Sequence, residues 1–305
     1  MPDEKTTKNQ RREAAREAAR LEREKQKKRD SRNRIFIRGG VTLGILAILA
    51  VVALVIGQAN KPTGPGPINM ASDGVVLTGT ADGLQVVSTA SQAADVDAIP
   101  TDTSKLDTQV NIVEYVDLLC PFCQQFEATN GGTIESLVQG GFASVEIHPI
   151  SILDSSSLGT KYSTRAASAM GCVANYEPES FLDVMAAMYA TGTQPAEQTA
   201  GLTNAEIADV VASAGVTSDK VSKCITDETF TGWVTAATNR ALADPDLKNA
   251  QGGFGTPTIL VNGARYEGSL TDAAAFSTFV AAQYTPTDAG TDPTATPTPT
   301  PTPTP

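Results

Sequence analysis

Histidine and tryptophan occur once each in the 305 residues, cysteine four times, and basic residues become scarce after the first 38 positions. Each shortage removes a class of function. With His148 as the sole histidine, one chain cannot assemble a zinc cage of two cysteines and two histidines. Residues 1–38 hold 14 of the 23 Lys and Arg, leaving 9 basic against 27 acidic residues in the remainder. A surface of that sign offers no stripe for phosphates and excludes a nucleic-acid partner for the bulk of the chain. Gly252-Gly253-Phe254-Gly255 has the glycines of a phosphate loop, but no Lys-Ser/Thr follows it. Strand-forming runs are lacking between about residues 160 and 250, which are rich in alanine and carry helical patterns instead.

No charge interrupts residues 39–57, whose 19 positions nearly span a bilayer core as a helix. The flank before this run is dense in Lys and Arg, whereas Lys61 is the only basic residue soon after it. The positive-inside rule then predicts a transmembrane helix with residues 1–38 in the cytoplasm and everything after it outside. Gly57-Gln58-Ala59 loosely resembles a signal-peptidase site, but the run is long for a signal peptide, so a retained anchor is expected. Residues 9–30 pair opposite charges at helical spacing without an apolar stripe. They read equally as a segment lying on acidic headgroups or as a solvated arm. The Thr-Pro repeats of residues 286–305 predict an extended, solvated tail.

Roughly 220 residues remain to fold, enough for one core with an insertion or for two small ones. Residues 58–107 read as a linker, with a short β-hairpin predicted at Gly74–Gly79 and Leu84–Val87 around Asp82-Gly83. The main domain is expected over 108–285. It opens with a buried strand at Val110–Val116 that runs into a helix at Cys120-Pro121-Phe122-Cys123, and a second strand follows at Ala143–His148. Asn130-Gly131-Gly132 predicts a break or kink in that helix. A helical insertion is expected at about 160–250, with Thr203 and Ser218 as N-caps. A strand at Thr258–Val261, a turn at Asn262-Gly263, a return strand at Arg265–Gly268 and a helix near 271–283 complete the pattern. Strand–helix–strand, helical block, hairpin and helix together indicate an α/β fold.

All four cysteines, Cys120, Cys123, Cys172 and Cys224, fall on the side predicted to be extracytoplasmic, where disulfides persist. The Cys-x-x-Cys pair is the sharpest chemical signal. A thiolate, not a thiol, attacks a disulfide, so a working cysteine needs a depressed pKa and some access. A strand-to-helix junction supplies free N–H groups that favour negative charge at Cys120, and Pro121 suits the first helical turn because its missing N–H costs nothing there. One turn on, Cys123 can resolve a mixed disulfide formed at Cys120. A four-cysteine zinc cage fits poorly, since Cys172 and Cys224 stand 52 residues apart. A merely structural bond within so small a loop would gain little.

Taken with Gly255-Thr256-Pro257-Thr258 before the penultimate strand, these residues resemble the DsbA family of thioredoxin-like disulfide oxidoreductases. The likeness is to its membrane-tethered Gram-positive and actinobacterial type, over about residues 108–284. The resemblance implies a thioredoxin-like fold with an α-helical insertion, and a cis Pro257 lying against the active-site disulfide. It implies that Thr256, Pro257 and Phe122 contact an extended substrate. Glu114 stands where relatives carry a buried acid that moves protons, although a strand residue on a solvated face would look the same; Asp117 is a weaker candidate for that work. The most oxidising relatives have a histidine between the cysteines, and Phe122 carries no such charge, so a weaker oxidant is expected. For Cys172 and Cys224 the resemblance implies a structural disulfide within the insertion, the alternative being a relay pair that passes electrons to Cys120. It further implies secreted or envelope proteins as substrates, a quinone-linked membrane partner as reoxidant, no cofactor, no metal and a monomer. His148, before Pro149 at a strand end, is expected to pack rather than to catalyse.

Overall fold

Six strands, β1 (Val75–Thr80), β2 (Gly83–Val86), β3 (Val110–Val116), β4 (Ala143–Pro149), β5 (Thr258–Val261) and β6 (Ala264–Arg265), form one mixed sheet in the order β2-β1-β4-β3-β5-β6. The computed structural model describes residues 16–17, 20–29, 64–81 and 83–284. The expected membrane segment 39–57 and the Thr-Pro tail lie outside the described residues. Two units are distinguished, Met1–Pro62 and Thr63–Pro305, and the sheet belongs to the second. In the first, residues 20–29 are helical and exposed, with Arg20 paired to Glu24 at 3.6 Å. Among the described residues no helix is long and apolar enough to cross a membrane.

Only β3 and β4 run parallel, and they join through α1 (Pro121–Gln139). The β-branched sequences of both strands suit a sheet covered on each face. Side chains alternate in β4. Val145 and Ile147 face α1 across a cavity shared with Glu114, whereas Glu146 and His148 line a second cavity with Arg240 and Ala241. Helices therefore cover both faces. The insertion between β4 and β5 comprises α2 (Tyr162–Tyr176), α3 (Phe181–Tyr189), α4 (Asn204–Ser213), α5 (Asp219–Thr226) and α6 (Thr231–Ala243). Its hub is α2, which is buried over most of its length and packs on α3, α4, α5 and α6. The last helix, α7 (Ala273–Ala282), packs on α1 through the edge-to-face rings of Phe126 and Phe276, 5.2 Å apart. Thr203 caps α4 with a full capping box closed by Glu206. Ser218 stands at the N-cap of α5 without a side-chain bond.

Three expectations need correction. The hairpin placed in a linker is instead part of the main sheet, because β1 pairs antiparallel with β4 from Val75↔Ile147 to Leu77↔Val145. A Cβ at Gly79 would stand 1.9 Å from the Val138 carbonyl oxygen, so only glycine lets the end of α1 close on this strand. The domain thus reaches further towards the N-terminus than residue 108. The predicted break at Asn130-Gly131-Gly132 does not occur, and α1 runs through it. Asn130 is fully buried and its Nδ2 donates to the Phe126 and Leu270 carbonyls at 3.1 and 3.2 Å, so tertiary bonding outweighs weak helix propensity. The return strand expected over Arg265–Gly268 is confined to Ala264–Arg265. His148 packs as expected, stacked on Tyr115 at 4.2 Å and bonded to Glu146 at 3.2 Å.

Candidate active site

At the carboxyl end of β3 the chain turns through Asp117-Leu118-Leu119 and enters α1 with Cys120 as N-cap and Pro121 as the first helical residue. Asp117 holds this turn. Its carboxylate accepts from the N–H groups of Leu119 at 2.9 Å, Ile152 at 2.8 Å and Leu153 at 2.9 Å, which fastens the turn to the chain beyond β4. Burial raises the Asp117 pKa to about 6 despite these donors. With both oxygens engaged by backbone amides, Asp117 serves the loop's shape.

Cys120 and Cys123 are present as free thiols. Cys120 Sγ donates to the Thr256 carbonyl at 3.3 Å, across 136 residues of sequence. The pKa of Cys120 is lowered to about 6, first by the hydrogen bond from the Cys123 thiol, which outweighs burial; Thr256 and the backbone at Phe122 and Cys123 add smaller contributions. The sequence expectation assigned this lowering to the helix start, whereas the neighbouring thiol is its main source. Cys123 is the opposite case. It is fully buried, and burial followed by the closeness of Cys120 drives its pKa well up. One sulfur therefore carries the charge and its neighbour keeps the proton, the asymmetry that a nucleophile with a resolving partner needs. Cys120 is less open than expected, at 4 % exposure, while Phe122 between the cysteines stands 56 % exposed.

The peptide bond between Thr256 and Pro257 is cis. The Thr258 hydroxyl donates to the Gly255 carbonyl at 2.7 Å, and Arg265 donates to Thr258 and to the Leu247 carbonyl, which fixes the loop facing Cys120. Thr256 and Pro257 remain half-buried and Gly255 is exposed.

Glu114 on β3 is 1 % exposed. Sequence reasoning missed its partner, Glu127, one helical turn after Cys123. The i, i+4 spacing from Cys123 was the available signal, but it does not reveal that β3 delivers a second carboxyl to the same place. Burial, then the Glu127 charge, raises the Glu114 pKa well above the carboxylate range. Burial also raises Glu127, partly offset by the hydrogen bond with Glu114. The pair therefore shares a proton. Glu114 Oε2 and Glu127 Oε1 have no protein partner, and both residues line a cavity of about 440 Å³ with Gln124, Met185 and Tyr189. A Cβ at Gly131 would stand 3.1 Å from Glu127 Oε2, so the glycine that threatened the helix leaves room for this carboxylate.

Cys172 on α2 and Cys224 on α5 form a disulfide with Cα atoms 5.9 Å apart. Both are buried, and joined to each other they are not a free relay pair. Among the described residues no three His, Cys, Asp or Glu gather into a metal-binding set.

A thioredoxin family model matches residues 105–281. The chain belongs to the thioredoxin family. Among solved structures it is similar to the reduced form of a disulfide bond oxidoreductase, DsbG, from Mycobacterium tuberculosis, with 31 % identity, covering 60 % of this chain and 81 % of that one at a TM-score of 0.49. Reduced DsbA from the same organism shares 27 % identity, covering 69 % and 99 % at 0.49. MdbA, a thiol-disulfide oxidoreductase from Corynebacterium matruchotii, shares 16 %, covering 72 % and 94 % at 0.48. A search of curated proteins found no match. The family match ends within the last helix, and it includes Cys120, Cys123, Thr256 and Pro257 together.

Proposed function

We propose that this protein is a DsbA-like thiol-disulfide oxidoreductase, anchored by residues 39–57 with its catalytic domain outside the cell membrane, and that it donates disulfides to secreted or envelope proteins. The observation that carries the reading is the split between the two sulfurs, one thiolate-prone at the N-cap of α1 and one buried and protonated, beside the Thr256–Pro257 loop. Family membership supports the fold and the chemistry together.

The cycle begins with the Cys120–Cys123 disulfide. A substrate thiolate attacks Cys120 Sγ; a new S–S bond forms, the bond to Cys123 breaks, and Cys123 leaves as a thiolate. Its high proton affinity calls for a nearby acid, and the Glu114/Glu127 pair holds one. A second substrate thiolate then attacks the substrate sulfur of the mixed disulfide and expels Cys120 as a thiolate. The substrate has lost two electrons and gained a disulfide, and the enzyme is reduced. A leaving thiol of low pKa departs faster, and a stabilised thiolate favours the reduced enzyme, so a Cys120 pKa near 6 supports donation over removal. A quinone-linked membrane protein would take the two electrons back. Phe122 and Thr256 would line the bound peptide.

The test is capture. Cys123→Ala leaves Cys120 without a resolving partner, so its thiolate, on attacking the disulfide of an oxidised secreted protein and releasing one substrate thiolate, is expected to accumulate as the mixed disulfide, whereas Cys120→Ser accumulates none. A Cys120→Ser protein that refolds reduced substrates as well as wild type would replace this reading with a peptide-binding module.

A further inference from the structure

We propose that Gln194 is a positioning residue for Cys120, the point where the helical insertion grips the reactive turn; the inference rests on the thiol-disulfide reading above. Gln194 follows α3 in a turn closed by its own N–H on the Ala190 carbonyl at 3.2 Å. Its Nε2 reaches back across the site and donates to the Leu118 carbonyl at 3.2 Å and to the Cys120 carbonyl at 3.0 Å. Two neighbouring bonds run between the same segments. The Tyr189 hydroxyl donates to the Asp117 carbonyl at 3.1 Å, and Gln124 Nε2 donates to the Tyr189 carbonyl at 2.7 Å. The insertion therefore touches Asp117, Leu118, Cys120 and Gln124, both flanks of the nucleophile.

Gln194 is the member of this set whose chemistry is hardest to replace. The Cys120 carbonyl also accepts the Gln124 N–H at 3.2 Å, the first helical bond of α1. Fixing that carbonyl fixes the peptide planes that follow, and with them the backbone groups of Phe122 and Cys123 that lower the Cys120 pKa. A primary amide has two N–H donors, and here both meet carbonyl oxygens without bringing a charge to the site. A carboxylate of the same size would present only acceptors to those two oxygens, and a methionine would present neither. The half-buried position of Gln194 on a loop means that either change leaves the core intact.

The experiment measures the rate of Cys120 alkylation by iodoacetamide against pH in the reduced full chain, for wild type, Gln194→Met and Gln194→Glu. The expected result is an upward shift of the Cys120 midpoint by half a unit or more in Gln194→Met, about threefold less thiolate on the acid side, and a larger shift in Gln194→Glu. Trp233 fluorescence should show an unfolding transition close to wild type. Gln194→Ala serves as a second variant if Gln194→Met does not fold. Profiles that coincide with wild type in both neutral variants would overturn the proposal, as would a changed unfolding midpoint with an unchanged Cys120 profile, the mark of a merely structural role. Alkylation needs no protein substrate, so the result can be read even if Cys123→Ala captures nothing.

Discussion

Removing the Cys172–Cys224 bond by the double substitution Cys172→Ala/Cys224→Ala offers a quantitative test of how the helical insertion is held. The bond joins α2 to α5 and closes a loop of 52 residues. On the chain-entropy account a loop of that length restrains the unfolded chain by about 4 kcal/mol. The sequence provides its own reporter. Trp233, the single tryptophan, is 3 % exposed on α6 and lies 3.5 Å from where a Cβ on Gly171 would stand, next to Cys172 on α2. Urea unfolding without reductant, followed by Trp233 fluorescence, should show the midpoint fall by about 1.3–2 M, given a slope of about 2–3 kcal/mol/M for a domain of this size. Cys120 alkylation should stay at the wild-type rate, since neither residue touches the reactive turn. A midpoint within about 0.3 M of wild type would refute the reasoning, because the unfolded chain would then gain no freedom from losing the link. A slowed Cys120 would refute the separation of the structural bond from the working pair.

Two further outcomes follow from the buried acids and thiols. Alkylation of Cys120 should rise through a midpoint near pH 6 and level off above it. The folded pKa lies below the ordinary 9.0, so the reduced protein should gain stability as pH climbs from about 6 towards 9 and lose it as pH falls through 6, measured by urea midpoints. For Glu114 the sign is reversed. Its folded pKa is raised above 4.5, so native Glu114 keeps a proton that the unfolded chain releases, and stability drains away as pH rises from about 4.5. Glu114→Gln should shrink that slope, leaving the part due to buried Glu127, and slow protonation of Cys123 in the exchange step. An unchanged slope would show that Glu114 is not the group responsible.

Local chemistry was legible wherever a short stretch of chain sufficed. Cys120-Pro121-Phe122-Cys123 at a strand-to-helix junction, Thr256-Pro257 before a strand, and the Thr203 cap of α4 were each readable because neighbours in sequence make the relevant contacts. What escaped was remote. The edge hairpin joins the sheet only by pairing β1 with β4, about 70 residues on, and no local pattern states that register. The helix through Asn130-Gly131-Gly132 survives because Asn130 reaches the Leu270 carbonyl, a contact 140 residues distant.

The sequence by itself determined which residues can do redox chemistry, since thiol type and proline placement are properties of short segments. Tertiary structure alone decided how that chemistry is tuned. It brought Glu127 to Glu114, the Thr256 carbonyl to Cys120 and Gln194 to the reactive turn. Each of these pairings depends on burial and direction at distances of a few ångströms, and a linear order of residues does not encode which distant groups will share a dry, hydrogen-bonded space.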